Sequence, residues 1–269
     1  HANAVAFGPD SNASQDGAVA LGKQAKATGN EAAALGKGAK AQGNLSVAVG
    51  PMSQATADSA MAFGVESKAS GEKAVALGKK AEATQESAVA LGFNSKAKAA
   101  GSVALGEEAI ADQPRSIAIG KSATITNGQD TIAIGTSTNV QGNTSIVIGK
   151  NAKITNNAEG TVVIGRDAFS EGSNNGGRPN TVVGRGAYTG FGEKGTYRSN
   201  ASTALGFQAG SGLRTDPTNG NKLVNNETNA DSNENVLVKA GYGLQDIKDA
   251  AQKVEMDKTK AFLQAGFAH

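Results

Sequence analysis

The chain has 269 residues, a formal net charge of +2, no cysteine, no tryptophan and aromatic residues at only 4%. The missing cysteines exclude disulfide frameworks and cysteine-based zinc sites, and so small a charge gives no reason to expect a nucleic-acid partner. With 36 glycines and few large side chains, the composition suits a narrow repetitive coil of Ala, Val, Ile and Leu rather than a globular core. No run is long or apolar enough to span a membrane, and no signal peptide is visible.

A repeat is under way from the first residues, since Val5-Ala6-Phe7-Gly8 is already one copy of it. The start in mid-pattern leads us to expect a fragment of a longer protein. Glycines then recur at Gly8, Gly22, Gly36, Gly50, Gly64, Gly78, Gly92, Gly106, Gly120, Gly135, Gly149, Gly165, Gly184 and Gly206. Every step from Gly8 to Gly120 is 14 residues, and the later steps are 15, 14, 16, 19 and 22. A period kept that long means a stack of like units, each touching its neighbours.

Within a repeat, a short apolar run precedes the glycine, as in Val19-Ala20-Leu21 or Ile117-Ala118-Ile119. After the glycine come small residues two apart, such as Ala25 and Ala27, with a polar residue between them. This is period-two alternation, the mark of a strand. Fourteen residues are too few for a helical hairpin, and each run is bounded by Gly, Asn or Ser. Each repeat therefore reads as strand, turn, strand, turn.

The first strand has larger residues on one side (Val19, Leu21) and small ones on the other (Ala18, Ala20), with no polar face. It should be buried on both sides. We place Val19, Leu21 and their equivalents inside the coil and leave the alanine row to meet another chain; the opposite placement stays open. On the first placement an Asp at Leu77 buries an unpaired charge and prevents folding. With either, one thin coil cannot cover both faces, so symmetric association along the stack is expected. Coils rising by about 4.8 Å make a rod on the order of 65 Å long.

Written out, the repeat is Ser/Ala-Val-Ala-Leu/Ile-Gly-x-x-Ala/Ser-x-Ala-x-Gly, as in residues Ala18 to Gly29. It resembles the head repeats of YadA-like trimeric autotransporter adhesins, over roughly residues 2–212. The resemblance implies a left-handed parallel β-roll of about fourteen 14-residue repeats, with three chains wound about one axis. It implies display on the surface of a Gram-negative bacterium, at the tip of a coiled-coil stalk held in the outer membrane by a C-terminal domain outside this chain. It further implies adhesion to host cell receptors or to matrix proteins such as collagen, fibronectin or laminin. The family's Asp-Ala-Val-Asn-Val neck sequence is absent here.

Further along, the longer repeats carry insertions at 170–180 and 190–200. Insertions in solenoids emerge as loops, often on a binding face. The second combines Phe191, Lys194, Tyr197 and Arg198, an aromatic and basic mixture favoured at interfaces; the plainer reading is packing against neighbouring chains at an atypical end. Residues 213–240 are polar and rich in Asn and read as a loop or cap, with Val236-Leu237-Val238 as one further strand. Over 241–269, Leu244, Ile247, Ala251, Val254, Lys258, Ala261 and Ala265 follow steps of three and four, the spacing of a coiled-coil seam. A short helical neck and a helix folded back as a cap are the two readings.

Little in the chain suits catalysis. Its two histidines, His1 and His269, stand at the chain ends, so no Ser/His/Asp or Cys/His arrangement is available, and no enzyme, cofactor or metal is expected. The Gly-Gly-x-Gly-x-Asp signature of calcium-binding rolls is missing, and the glycine turns open no helix, unlike phosphate loops. One ladder suits binding. The wet position of the second strand reads Lys26, Lys40, Gln54, Lys68, Glu82, Lys96, a largely basic stripe fit for an elongated partner such as collagen or a sulfated glycan; the competing reading is a solvated face whose lysines discourage aggregation. An outward ladder of Lys, Gln and Glu is not the Thr array of ice-binding solenoids. The expected function is an adhesin head, and the alternative is a structural spacer with binding done elsewhere.

Overall fold

The alternation is realised as two parallel sheets that run the length of the stack. The computed structural model describes residues 2–155, 158–171, 179–191, 203–213 and 236–238. Among these, each repeat gives a three-residue strand such as Val19–Leu21 and a second strand such as Lys26–Ala27. The first strands form a 15-stranded sheet and the second a 14-stranded sheet, each joining only the equivalent strand of the coils before and after. Register never slips in the regular part: Val75, Ala76 and Leu77 face Val89, Ala90 and Leu91. The described residues are all-β, a parallel β-solenoid.

Backbone hydrogen bonds continue through the turns. Val19 N donates to Ala32 O at 2.8 Å, and Lys26 N to Ala39 O at 2.8 Å. The turn amides of Gln24 and Glu31 donate to Pro9 O and Asp16 O, each at 2.8 Å. Each coil is therefore templated by its neighbour around its whole circuit, which leaves few backbone groups unpaired between the two ends.

The turns explain the glycines. Gly22 has φ of +126°, and a Cβ there would stand 2.8 Å from the carbonyl carbon of Gly36. Space and dihedral both exclude a side chain. Two residues later the backbone takes the left-handed conformation, and this recurs at every seventh residue from Asn3 to Ser122. The coil is thus two half-coils of like geometry. The left-handed position tolerates ordinary residues, including Glu31, Leu45 and Lys80, each held against the roughly 1 kcal/mol cost of that conformation by the bonds to the coils on either side.

The placement of the two rows is the reverse of the first expectation. Ala18, Ala20, Ala25 and Ala27 are fully buried between the sheets, whereas Leu21 and Leu77 are each 43% exposed. Short turns draw the sheets so close that a coil offers four inward positions with room for little more than a methyl group. Val and Leu must point outward. Past Gly120, where repeats lengthen, the interior widens and takes Ile125, Val140, Val147, Ile154, Val163 and Val182. A buried polar column accompanies them: Thr131 Oγ1 donates to Gly142 O at 2.8 Å, Ser145 Oγ to Ala158 O at 3.0 Å, and Thr189 Oγ1 to Ser170 Oγ at 3.0 Å. The Thr131 and Ser145 hydroxyls satisfy carbonyls of the altered turns, and Thr189 and Ser170 satisfy each other between the sheets.

Val236–Val238 forms a strand on Thr203–Leu205, as the sequence suggests. The seam from Leu244 to Ala265, both histidines and most of the polar segment 213–240 lie outside the described residues.

Candidate binding surfaces

The roll presents two faces and two edges. The outer face of the second sheet carries the expected ladder. Lys26 neighbours Lys40, Lys40 neighbours Gln54, and Lys68 and Lys96 flank Glu82. Lys26 and Lys68 are exposed, and Lys40 and Lys96 are half-buried along their stems. Among the described residues none of the four lysines forms an ion pair. Their ammonium groups therefore face solvent, available to an anionic partner.

The ladder continues beyond the part read from the sequence. In register after Lys96 stand Ile110, Thr124, Asn139, Lys153, Phe169 and Tyr188. The charged run ends at Lys96, Lys153 being the one later charge on the ladder among the described residues, and the same face becomes aromatic where Phe169 lies beside Tyr188. Burial pushes the Tyr188 phenol up from its ordinary value. On the adjoining turns the Arg185 guanidinium lies 5.4 Å from the Phe207 ring centre, a cation–π contact. The signal for this patch was in the sequence, but only for a reader who carries the register through repeats of unequal length.

Of the second group of candidates, Phe191 ends the strand Tyr188–Phe191, whose backbone pairs with Gly210–Leu213. Lys194, Tyr197 and Arg198 lie outside the described residues.

The outer face of the first sheet is different in kind. Val5 and Phe7, Val19 and Leu21, Met61 and Phe63, Ile132 and Ile134 stack into two apolar rows, the first unbroken as far as Val162 before Thr181 and Thr203 and the second unbroken to Leu205. Phe7 is 71% exposed and Leu205 47%. A contiguous apolar strip of this length marks an interaction surface rather than a solvated one. Completing the burial of each such side chain is worth on the order of 1 kcal/mol, and the strip repeats that gain coil after coil.

Among the described residues no group of His, Cys, Asp and Glu is placed to hold a metal ion. A family model described as the YadA head domain repeat matches residues 2–25, 13–39, 27–51, 41–67, 55–81, 69–95, 97–123 and 127–152, with two copies in each window. The overlapping windows cover more than half of the chain. No curated protein matches the sequence.

Proposed function

This chain belongs to the YadA head-repeat family and is an adhesin-type head, and from that premise we propose that it works as a homotrimeric adhesin on the surface of a Gram-negative bacterium. Three rolls lie side by side with their apolar faces turned to a common axis. The lysine-bearing faces of the second sheet then point outward on every side. The observation that carries the reading is this division of one thin roll into an apolar face and a polar, lysine-laddered face.

The partners are host matrix proteins such as collagen, fibronectin or laminin, or host cell receptors. Lys26, Lys40, Lys68 and Lys96 supply a linear array of cations, and Phe191, Lys194, Tyr197 and Arg198 a second group near the far end. Weak contacts repeated along each roll and on three chains combine into avidity. The roll occupies 1–212, with 213–240 as a cap and 241–269 as a helical neck leading to an anchor outside this chain.

Light scattering on this chain tests the assembly, with three times 26.8 kDa expected; a stable monomer at all concentrations would sink the reading. Matrix-binding assays on that trimer test the function. The spacer reading draws support from the unvarying coils between Gly8 and Gly120, and trimers that bind no matrix protein or cell would favour it.

A further inference from the structure

The turns stack as regularly as the strands, and the two edges they form differ in charge. The turn that follows the first strand opens with Lys23, Lys37, Lys79, Lys121, Lys150, Arg166 and Arg185, and among the described residues Glu107 is the one acid at that position. The turn that follows the second strand opens with Asp16, Asp58, Glu72, Glu86 and Glu159, and no base stands there among the described residues. The next residue of each turn is of mixed sign, and several charges of both turn positions pair within their own edge: Lys121 with Glu107 at 3.0 Å, Arg166 with Asp167 at 3.2 Å, Lys80 with Glu66 at 3.8 Å and Lys73 with Glu72 at 2.8 Å. The first edge thus carries an excess of bases, interrupted by acids such as Glu107 and Glu108, and the second an excess of acids, interrupted by Lys73 and Arg115.

We propose that the basic edge of each chain docks along the acidic edge of the next copy, and that this division of charge makes the chains associate in parallel. The proposal rests on the homo-oligomeric reading above. Rotation about any axis parallel to the stack brings the first-turn edge of one roll to the second-turn edge of its neighbour. A two-fold axis perpendicular to the stack would still join the apolar faces, but it would set base against base and acid against acid. The apolar rows cannot choose between these arrangements, because burial of Val and Leu is non-directional. Charged edges can, since like-charge juxtaposition excludes the wrong partner orientation. Each exposed pair is weak and screened by salt, but the charges recur along each edge at multiples of the coil spacing of about 4.8 Å.

The test uses the full chain with Asn12→Cys, a single thiol in a cysteine-free sequence, carrying a spin label near one end. Light scattering gives the mass, and label-to-label distances give the direction. Parallel chains place all labels at one end, and antiparallel chains place them nearly a roll length apart. Reversing the basic edge with Lys23→Glu, Lys37→Glu, Lys79→Glu and Lys121→Glu should cause loss of the parallel assembly at low salt while circular dichroism still reports the coil. Adding Asp16→Lys, Asp58→Lys, Glu72→Lys and Glu86→Lys exchanges the signs of the two edges and should restore it. An assembled parent whose mass, salt response and label distances survive the first set unchanged overturns the edge proposal alone, and so does a folded eightfold variant that fails to recover. A monomeric parent removes the oligomeric reading first, and the edge proposal with it.

Discussion

Arg115 and Asp130 occupy the same left-handed turn position one coil apart, and the guanidinium grips the carboxylate with two parallel bonds, Nη2 standing 2.7 Å from Oδ2. The hydrogen bonds from Arg115 hold the Asp130 carboxyl below its ordinary range. A carboxylate lowered in the folded state adds stability that is present above its unfolded value, about 3.9, and is lost as pH falls through the folded value. Carboxyl titration by NMR should find Asp130 low in the native chain and back in the ordinary range in Arg115→Gln. Because the pair is exposed, the two proteins should differ little in thermal stability, and what difference there is should vanish in acid. A difference that persists below the folded value would show that the pair is not its source.

Adjacent substitutions should separate the two faces of the first strand. Ala76 is fully buried and Leu77 is 43% exposed. Ala76→Asp places an unpaired charge between the sheets, at a cost of several kcal/mol, and should yield no β-rich product. Leu77→Asp should leave the coil formed and weaken the oligomer. Circular dichroism and light scattering on both variants decide the matter; a Leu77→Asp chain that fails to fold would restore the placement the structure reverses.

Two turn positions should respond in opposite directions to substitution. Gly78 has φ of +135°, and a Cβ there would lie 2.5 Å from Gly92 O. Gly78→Ala should therefore lower stability by roughly 3 kcal/mol or more, from clash and dihedral strain together. Thr144 holds a φ of 52°, poorly suited to a β-branched residue. Thr144→Asn should raise stability by about 0.5–1 kcal/mol. Thermal melts of the two variants check both signs.

The lysine ladder is tested by replacing Lys26, Lys40, Lys68 and Lys96 together by Gln. Fold and mass should be unchanged, because the four side chains form no ion pairs. Matrix binding should weaken by tenfold or more and lose much of its dependence on salt. Equal binding with equal salt sensitivity would move recognition to another surface, the aromatic end of the same face being the next to test.

Much of this molecule could be read from spacing. The interval from Gly8 to Gly120 implied stacked coils, and alternation around Ala25, Lys26 and Ala27 implied a strand with one wet face. The lysine ladder followed from both, and the structure shows its members in register. Other features were less visible. The continuation of that ladder to Phe169 and Tyr188 was hidden by repeats of 15, 16, 19 and 22 residues, which break a fixed-step count although the strands still pair in parallel, with one register shift between Ile125 and Asn127. Charges such as Glu31, Lys73 and Glu86 looked like incidental turn residues. All three stand on turns that follow a second strand, and the difference in charge between the two edges emerges once the turns are sorted by the strand they follow.

By itself the sequence determined the unit, its period, its parallel pairing and the need for a second copy, because these depend on the order of small, large and polar residues along the chain. Only the tertiary structure decided which row of the first strand faces inward. Alternation shows that the sides of a strand differ, but not which of two apolar sides is enclosed. That depends on the gap between the sheets, set by the turns, and it admits Ala20 while turning Val19 and Leu21 outward.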